Sequence, residues 1–157
     1  MLNTNSIRPV NRSDLAKIGA IAGATDLFPP EMLEPMIEPF FSDENNQDVW
    51  LTFEQEGEVL AFAFCEPERM AEGAWNLLAI GVVPGVQGKG IGAMLMGHVE
   101  DMLKVRQQRI LIVETSGLPA FAKTRSFYDK LGYDEEARIR DYYDAGDDKV
   151  IFWKSLS

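Results

Sequence analysis

The sequence predicts a single mixed α+β domain over residues 1–157, on three observations. Apolar residues recur at helical spacing in two early segments and then at strand-like density in two short runs. A longer, nearly continuous apolar run, Trp75–Val83, marks a central buried strand. A glycine-rich turn, an amphipathic helix and another apolar strand follow it, the order of a strand–helix–strand unit. Helices first, strands next and alternation last give an α+β or α/β layout around a mixed sheet.

Ile7–Val10 is a short first strand. Ser13 caps a helix over Asp14–Thr25, on which Leu15, Ile18 and Ile21/Ala22 recur. Met32, Leu33, Met36, Ile37, Phe40 and Phe41 make Pro29–Phe41 helix-like, with Pro35 and Pro39 expected to kink or break it. Ser42–Asp48 is a polar loop. Val49–Phe53 and Val59–Cys65 are strands joined by a turn at Glu56–Gly57. In the helix after the glycine-rich turn, Ile91, Met94, Leu95, Val99 and Met102 form one stripe. Arg109–Val113 is a second buried strand, and Thr124–Leu131 is a short helix ended by Gly132. Tyr133–Tyr143 and Lys149–Trp153 close the chain as a hairpin around Asp144–Asp148.

A chain of 157 residues suits one core, and its 46% hydrophobic and 25% charged residues are those of an ordinary globular protein. No apolar run approaches the roughly 20 residues of a membrane helix, and Met1–Arg12 lacks the pattern of a signal peptide. A single cysteine, Cys65, excludes an internal disulfide and fits a reducing, cytoplasmic setting; its apolar surroundings read as burial rather than reactivity. The formal net charge of −10 repels phosphate backbones, so nucleic acid is not an expected partner, whereas a cationic amine is attracted. Acidic surfaces also serve solubility alone.

The chemistry centres on Val82-Val83-Pro84-Gly85-Val86-Gln87-Gly88-Lys89-Gly90-Ile91-Gly92. Gly88, Gly90 and Gly92 stand at alternate positions, which lets backbone N–H groups approach an anion closely. The start of the following helix adds roughly half a positive charge. Together they suit a diphosphate. A Walker-type loop fails twice, at Val83 and at Gly90. A dinucleotide fingerprint fares better: Gly88-Lys-Gly90-Ile-Gly92-Ala93 fits G-x-G-x-x-A, and Glu114 stands about where a ribose-binding acid would. Against it, Val83–Gln87 separate strand from first glycine, and too little chain follows for more strand–helix units. A glycine-rich turn that only permits tight packing is the plain alternative.

The segment Gln87–Gly92 resembles the acetyl-CoA motif Gln-x-x-Gly-x-Gly of the GNAT N-acetyltransferase superfamily. Some 30 residues on, Phe127-Tyr128-Asp129-Lys130-Leu131-Gly132-Tyr133 resembles that superfamily's Phe-Tyr-x-Lys-x-Gly-Phe/Tyr helix, with a strand between the two motifs. The resemblance covers Trp75 to Tyr133 well and the C-terminal hairpin loosely. It implies a twisted mixed sheet of about six to seven strands, helices on both faces and two central strands that splay apart. Coenzyme A then lies in the opening. Its pantetheine arm pairs along Ile80, Gly81 and Val82, with the Ile80 N–H at the acetyl carbonyl, and the Gln87, Gly88, Lys89, Gly90, Ile91 and Gly92 segment takes the pyrophosphate. Gly81 suits a bulge or a close ligand approach.

The reaction implied is direct acetyl transfer from acetyl-CoA to a primary amine of a small molecule or peptide. An ammonium with a pKa near 10.4 must first be freed, at roughly 4–5 kcal/mol at pH 7. By the resemblance Tyr128 is the acid beside the leaving thiolate; as a plain residue it would be core packing beside Phe127. Some family members carry a Glu on the central strand where this chain has Asn76, and many have an Asn about where Phe121 stands. Glu114 is the substitute base, its alternative being a surface carboxylate at a strand end. His98 reads as a half-buried structural residue, and a lone His makes no metal site. Tyr142 and Tyr143 either line the acceptor pocket or pack a strand. Glu31, Glu34 and Glu38 either greet a cationic acceptor or form a solvated face. Exposed strand edges would permit a homodimer. The rival readings are a non-catalytic acyl-CoA sensor on the same fold and a dinucleotide binder.

Overall fold

The computed structural model describes residues 4–157. Its elements are β1 (Asn5–Pro9), α1 (Leu15–Ala24), α2 (Leu33–Ser42), β2 (Val49–Gln55), β3 (Glu58–Pro67), β4 (Ala74–Val82), α3 (Ile91–Val105), β5 (Ile110–Ser116), α4 (Ala122–Lys130), β6 (Asp134–Asp144) and β7 (Asp147–Ser155). Seven strands join in the order β1-β2-β3-β4-β5-β7-β6, the mixed sheet the sequence predicts. The chain divides into two compact units, Met1–Glu66 with Ala79–Met102, and Pro67–Leu78 with Leu103–Ser157.

The first unit is built on the antiparallel β1–β2 and β2–β3 pairs. Its core gathers Ile18, Ile21 and Ala22 of α1, Leu33 and Ile37 of α2, and Trp50, Phe62, Phe64 and Ala79 from the strands. Trp50 stacks on Phe64 with ring centroids 3.9 Å apart. The helical start lies at Asn11 and Asp14 rather than at Ser13. The Asp14 carboxylate accepts from the Asn11 N–H at 2.7 Å and from the two terminal Arg8 guanidinium nitrogens at 2.7 and 3.0 Å. Arg8 thereby holds the Asp14 carboxyl below the usual range, against the opposing effect of burial.

Helix α2 runs unbroken to Ser42, contrary to the expected break at its prolines. Pro35 falls in the first turn, where its missing N–H has no partner inside the helix. Pro39 does remove one intrahelical bond, but burial of Leu33 and Ile37 holds the segment. In α3 Ile91, Leu95, Met96, Val99, Glu100 and Leu103 are buried, while Met102 of the expected stripe is only partly buried. Met94 is 45% exposed.

The second unit pairs the first half of β4 with β5 in parallel, then β5 with β7 and β7 with β6 antiparallel. One face of β5 and β7, carrying Leu111, Val113, Val150 and Phe152, is buried. Tyr128 of α4 packs on Phe152 at 5.6 Å between centroids. β5 extends to Ser116 rather than stopping at Val113, because β7 pairs with it as far as Ser116–Lys149. The hairpin turn is correspondingly tight, with Gly146 at φ 80° between β6 and β7.

Candidate active site

The predicted cofactor-binding residues lie on one continuous stretch of the first unit, from the end of β4 to the start of α3. Ile80 and Val82 are partly exposed, and the Val83 N–H donates to the Leu60 carbonyl at 2.9 Å. Among the described residues, the β4–β5 register ends at Leu77–Val113, although β4 runs to Val82 and β5 to Ser116. Backbone groups of a strand beyond its ladder need other partners.

The turn after β4 has a conformation set by its glycines. Gln87 Nε2 donates to the Val82 carbonyl at 3.1 Å, tying the turn to the strand end. Gly88 and Gly90 have φ of +80° and +84°, which side-chain-bearing residues rarely adopt. A Cβ at either position would meet nothing within 4 Å. Packing therefore does not call for these glycines; their backbone conformation does, and the space before them is open. The first-turn N–H groups of α3 have no acceptor within the helix and carry the positive end of its dipole. Ile91, 6% exposed, anchors that helix start. This arrangement fits a pyrophosphate.

A Cβ at Gly81 would lie 2.9 Å from Leu27 and 3.0 Å from Ile21 and Phe62, so packing within the unit leaves no room for a side chain there.

In the second unit, Tyr128 is 3% exposed and meets Phe127, Tyr133 and Phe152 edge-on or tilted. Burial disfavours the charged phenolate and pushes its pKa well above the usual value, so the phenol stays protonated across the working pH range. Glu114 sits within β5, partly exposed, and is already paired: its carboxylate lies 3.0 Å from Lys149 Nζ. Lys149, 8% exposed, also stands 3.8 Å from the centroid of the Tyr142 ring. Burial pulls its pKa down, but the bonds and charges of Glu114 and Tyr142 outweigh this and raise it. Sequence reasoning gave Lys149 no role beside Glu114, because the two lie too far apart along the chain for any local signal.

The two proposed catalytic side chains occupy opposite faces. Val113 opposes Phe152, the ring Tyr128 touches, while Glu114 opposes Ile151 on the other side. Asn76 shares the Glu114 face, because it opposes Ile112, and its Nδ2 donates to Glu68 Oε1 at 2.9 Å. Phe121 is 42% exposed in the turn before α4. Arg125 pins that turn by donating to the Ser116 and Leu118 carbonyls at 2.7 and 2.9 Å. His98 is exposed on α3 rather than half-buried, since it lies off the buried stripe. Tyr142 and Tyr143 are 53% and 46% exposed. Glu38 is paired with Arg12 through both carboxylate oxygens at 3.1 Å, while Glu31 and Glu34 are exposed. Cys65 is buried, as expected. Among the described residues no group of His, Cys, Asp and Glu could hold a metal, and no helix is long and apolar enough to cross a membrane.

The family model for the acetyltransferase (GNAT) family matches residues 20–133. A GNAT-family protein from Desulfovibrio desulfuricans superposes with a TM-score of 0.91 at 25% identity, covering 98% of this chain and 100% of that one. The ribosomal-protein-S18-alanine N-acetyltransferase from Escherichia coli gives 0.75 at 25% identity, covering 98% and 95%. An aminoglycoside 6'-N-acetyltransferase complexed with coenzyme A shares the fold, with a TM-score of 0.80 at 15% identity over 97% of each chain.

Proposed function

The chain belongs to the acetyltransferase (GNAT) family, and from that premise we propose that it is an acetyl-CoA-dependent N-acetyltransferase acting on a primary amine of a small molecule or peptide. The observation that carries this reading is the Gln87–Gly92 turn: two left-handed glycines, open space before them and a helix start behind. Those amides would hold the pyrophosphate of coenzyme A. The Ile80 N–H would polarise the thioester carbonyl and stabilise its oxyanion.

The amine nitrogen attacks the carbonyl carbon, the C–S bond breaks, and the nitrogen gives up one proton while the departing sulfur gains one. Tyr128 would donate to that sulfur. Its raised pKa means that its phenol alone does not favour outright ionisation, so the proton lost by the amine must return to the tyrosine or reach the sulfur. Glu114 would take the amine proton through water, with Lys149 setting its charge balance. Direct transfer in a ternary complex fits the absence of an activated nucleophile from these roles. We place the reaction in the cytoplasm, given the single buried cysteine.

A second reading is a sensor that binds acyl-CoA without consuming it. It is favoured by Asn76, which supplies no carboxylate, and by the pairing of Glu114 with Lys149. One experiment separates the readings: thiol release from acetyl-CoA in the presence of spermidine, the tripeptide Ala-Gly-Gly or kanamycin, with product mass measured. Acetylated product from at least one amine is the expected result. Saturable coenzyme A binding with no thiol release would make the protein a sensor, and binding of NAD but not coenzyme A would make it a dinucleotide binder.

A further inference from the structure

A tightly bonded helix end carries a leucine to the strand that the thioester would use. Helix α1 closes at Thr25, whose N–H and Oγ1 both donate to the Ile21 carbonyl, at 3.0 and 2.7 Å. Asp26 then takes φ 53°, a left-handed conformation that costs a residue with a side chain more than glycine. That turn brings the Leu27 N–H onto the Ala22 carbonyl at 3.0 Å, so the helix end fixes Leu27. Pro29 and Pro30 stiffen the chain beyond it. Pro30 also packs closely on α1: its side chain lies 3.2 Å from where a Cβ of Gly23 would stand and 3.7 Å from where one of Gly19 would.

From there Leu27 reaches β4. Its Cδ1 lies 2.9 Å from the place of a Gly81 Cβ, a space that Ile21 and Phe62 also enter. Ile21 and Phe62 are 2% and 0% exposed, whereas Leu27 is 38% exposed. The two buried side chains leave Leu27 no room to withdraw into the core. Leu27 is therefore a fixed apolar side chain that borders the strand between Ile80 and Val82 and still meets solvent. All of these residues belong to the first unit.

We propose that Leu27 limits the length of the acyl group, so that the site takes acetyl-CoA and discriminates against thioesters whose chains are two carbons longer. The inference deepens the acetyltransferase reading and rests on its placement of the thioester carbonyl at the Ile80 N–H. Neighbouring Cα atoms stand about 3.8 Å apart, so an acyl group at Ile80 and the Leu27 side chain at Gly81 meet within about one residue of strand. An acetyl methyl is a small demand on that space. Each further methylene either finds the leucine in its way or must displace it against a packed core. A flexible loop would yield to a longer chain; the bonds of Thr25 and Leu27 and the packing of Pro30 on α1 hold this one.

The test is calorimetric titration of the natural chain, Leu27→Ala and Leu27→Val with acetyl-CoA, propionyl-CoA and butyryl-CoA, which needs no acceptor amine. In the natural chain butyryl-CoA is expected to bind about 10-fold or more weakly than acetyl-CoA, with propionyl-CoA between them. Leu27→Ala is expected to shrink that ratio by about 10-fold, through tighter binding of butyryl-CoA, and Leu27→Val by about 3-fold. Should Leu27→Ala not fold, Leu27→Val carries the test. Equal affinity for the three thioesters in the natural chain, or an unchanged ratio in the folded variants, overturns the proposal while leaving the acetyltransferase reading intact. If no thioester binds, that reading fails and the proposal with it.

Discussion

Tyr128→Phe is expected to lower kcat by about 10²–10⁴-fold, the range typical of a lost general acid. The ring would keep its contacts with Phe127, Tyr133 and Phe152, so the substitution removes a donor and little packing. The Kd of acetyl-CoA and the melting temperature are expected to change little. The raised pKa of Tyr128 also fixes the pH behaviour. Burial favours the neutral phenol, so its proton is retained below and through the ordinary tyrosine range. kcat/KM should therefore rise with pH as the amine deprotonates, and no downturn from Tyr128 is expected up to about pH 10. Unchanged turnover in the variant would remove Tyr128 from the mechanism. A downturn near neutrality that vanishes in the variant would contradict the stated protonation.

Gly88→Val and Gly90→Val are expected to weaken acetyl-CoA binding by at least about 10–100-fold each. A β-branched residue at positive φ is a strong outlier, and the left-handed conformation costs about 1–2 kcal/mol even for ordinary residues. The turn would relax toward negative φ and swing its N–H groups away from the phosphates. Because a Cβ at either glycine meets nothing within 4 Å, the folded protein suffers no clash. The loss should therefore appear in ligand affinity, measured by calorimetric titration, far more than in the melting temperature without ligand. Affinity preserved in both variants would mean that the turn only joins strand to helix.

Much of this architecture was legible because its signals are local. The run Trp75–Val83 and the buried positions Ile91, Leu95 and Val99 follow directly from spacing, although Met94 does not, and Gly132 ends α4 at φ 88° as its motif implies. Misread features depend on contacts distant in sequence. Nothing local to Gly81 indicates that Ile21, Leu27 and Phe62 pack where its Cβ would stand. Glu114 looked like a free strand-end carboxylate until β7 brought Lys149 beside it and lengthened β5. Asn76 looked like the mere loss of a base, and nothing local indicated that Glu68 would orient its amide. His98 shows the limit of helical periodicity, since a one-position error in the stripe turns a half-buried residue into an exposed one.

In the proposed reaction, main-chain donors at the end of β4 and the start of α3 hold coenzyme A. Backbone amide NMR during a coenzyme A titration tests it most directly. Saturable shifts concentrated at Ile80–Val82 and Gln87–Gly92 are the expected result. No shifts at millimolar coenzyme A, or shifts that leave both segments untouched, would contradict it.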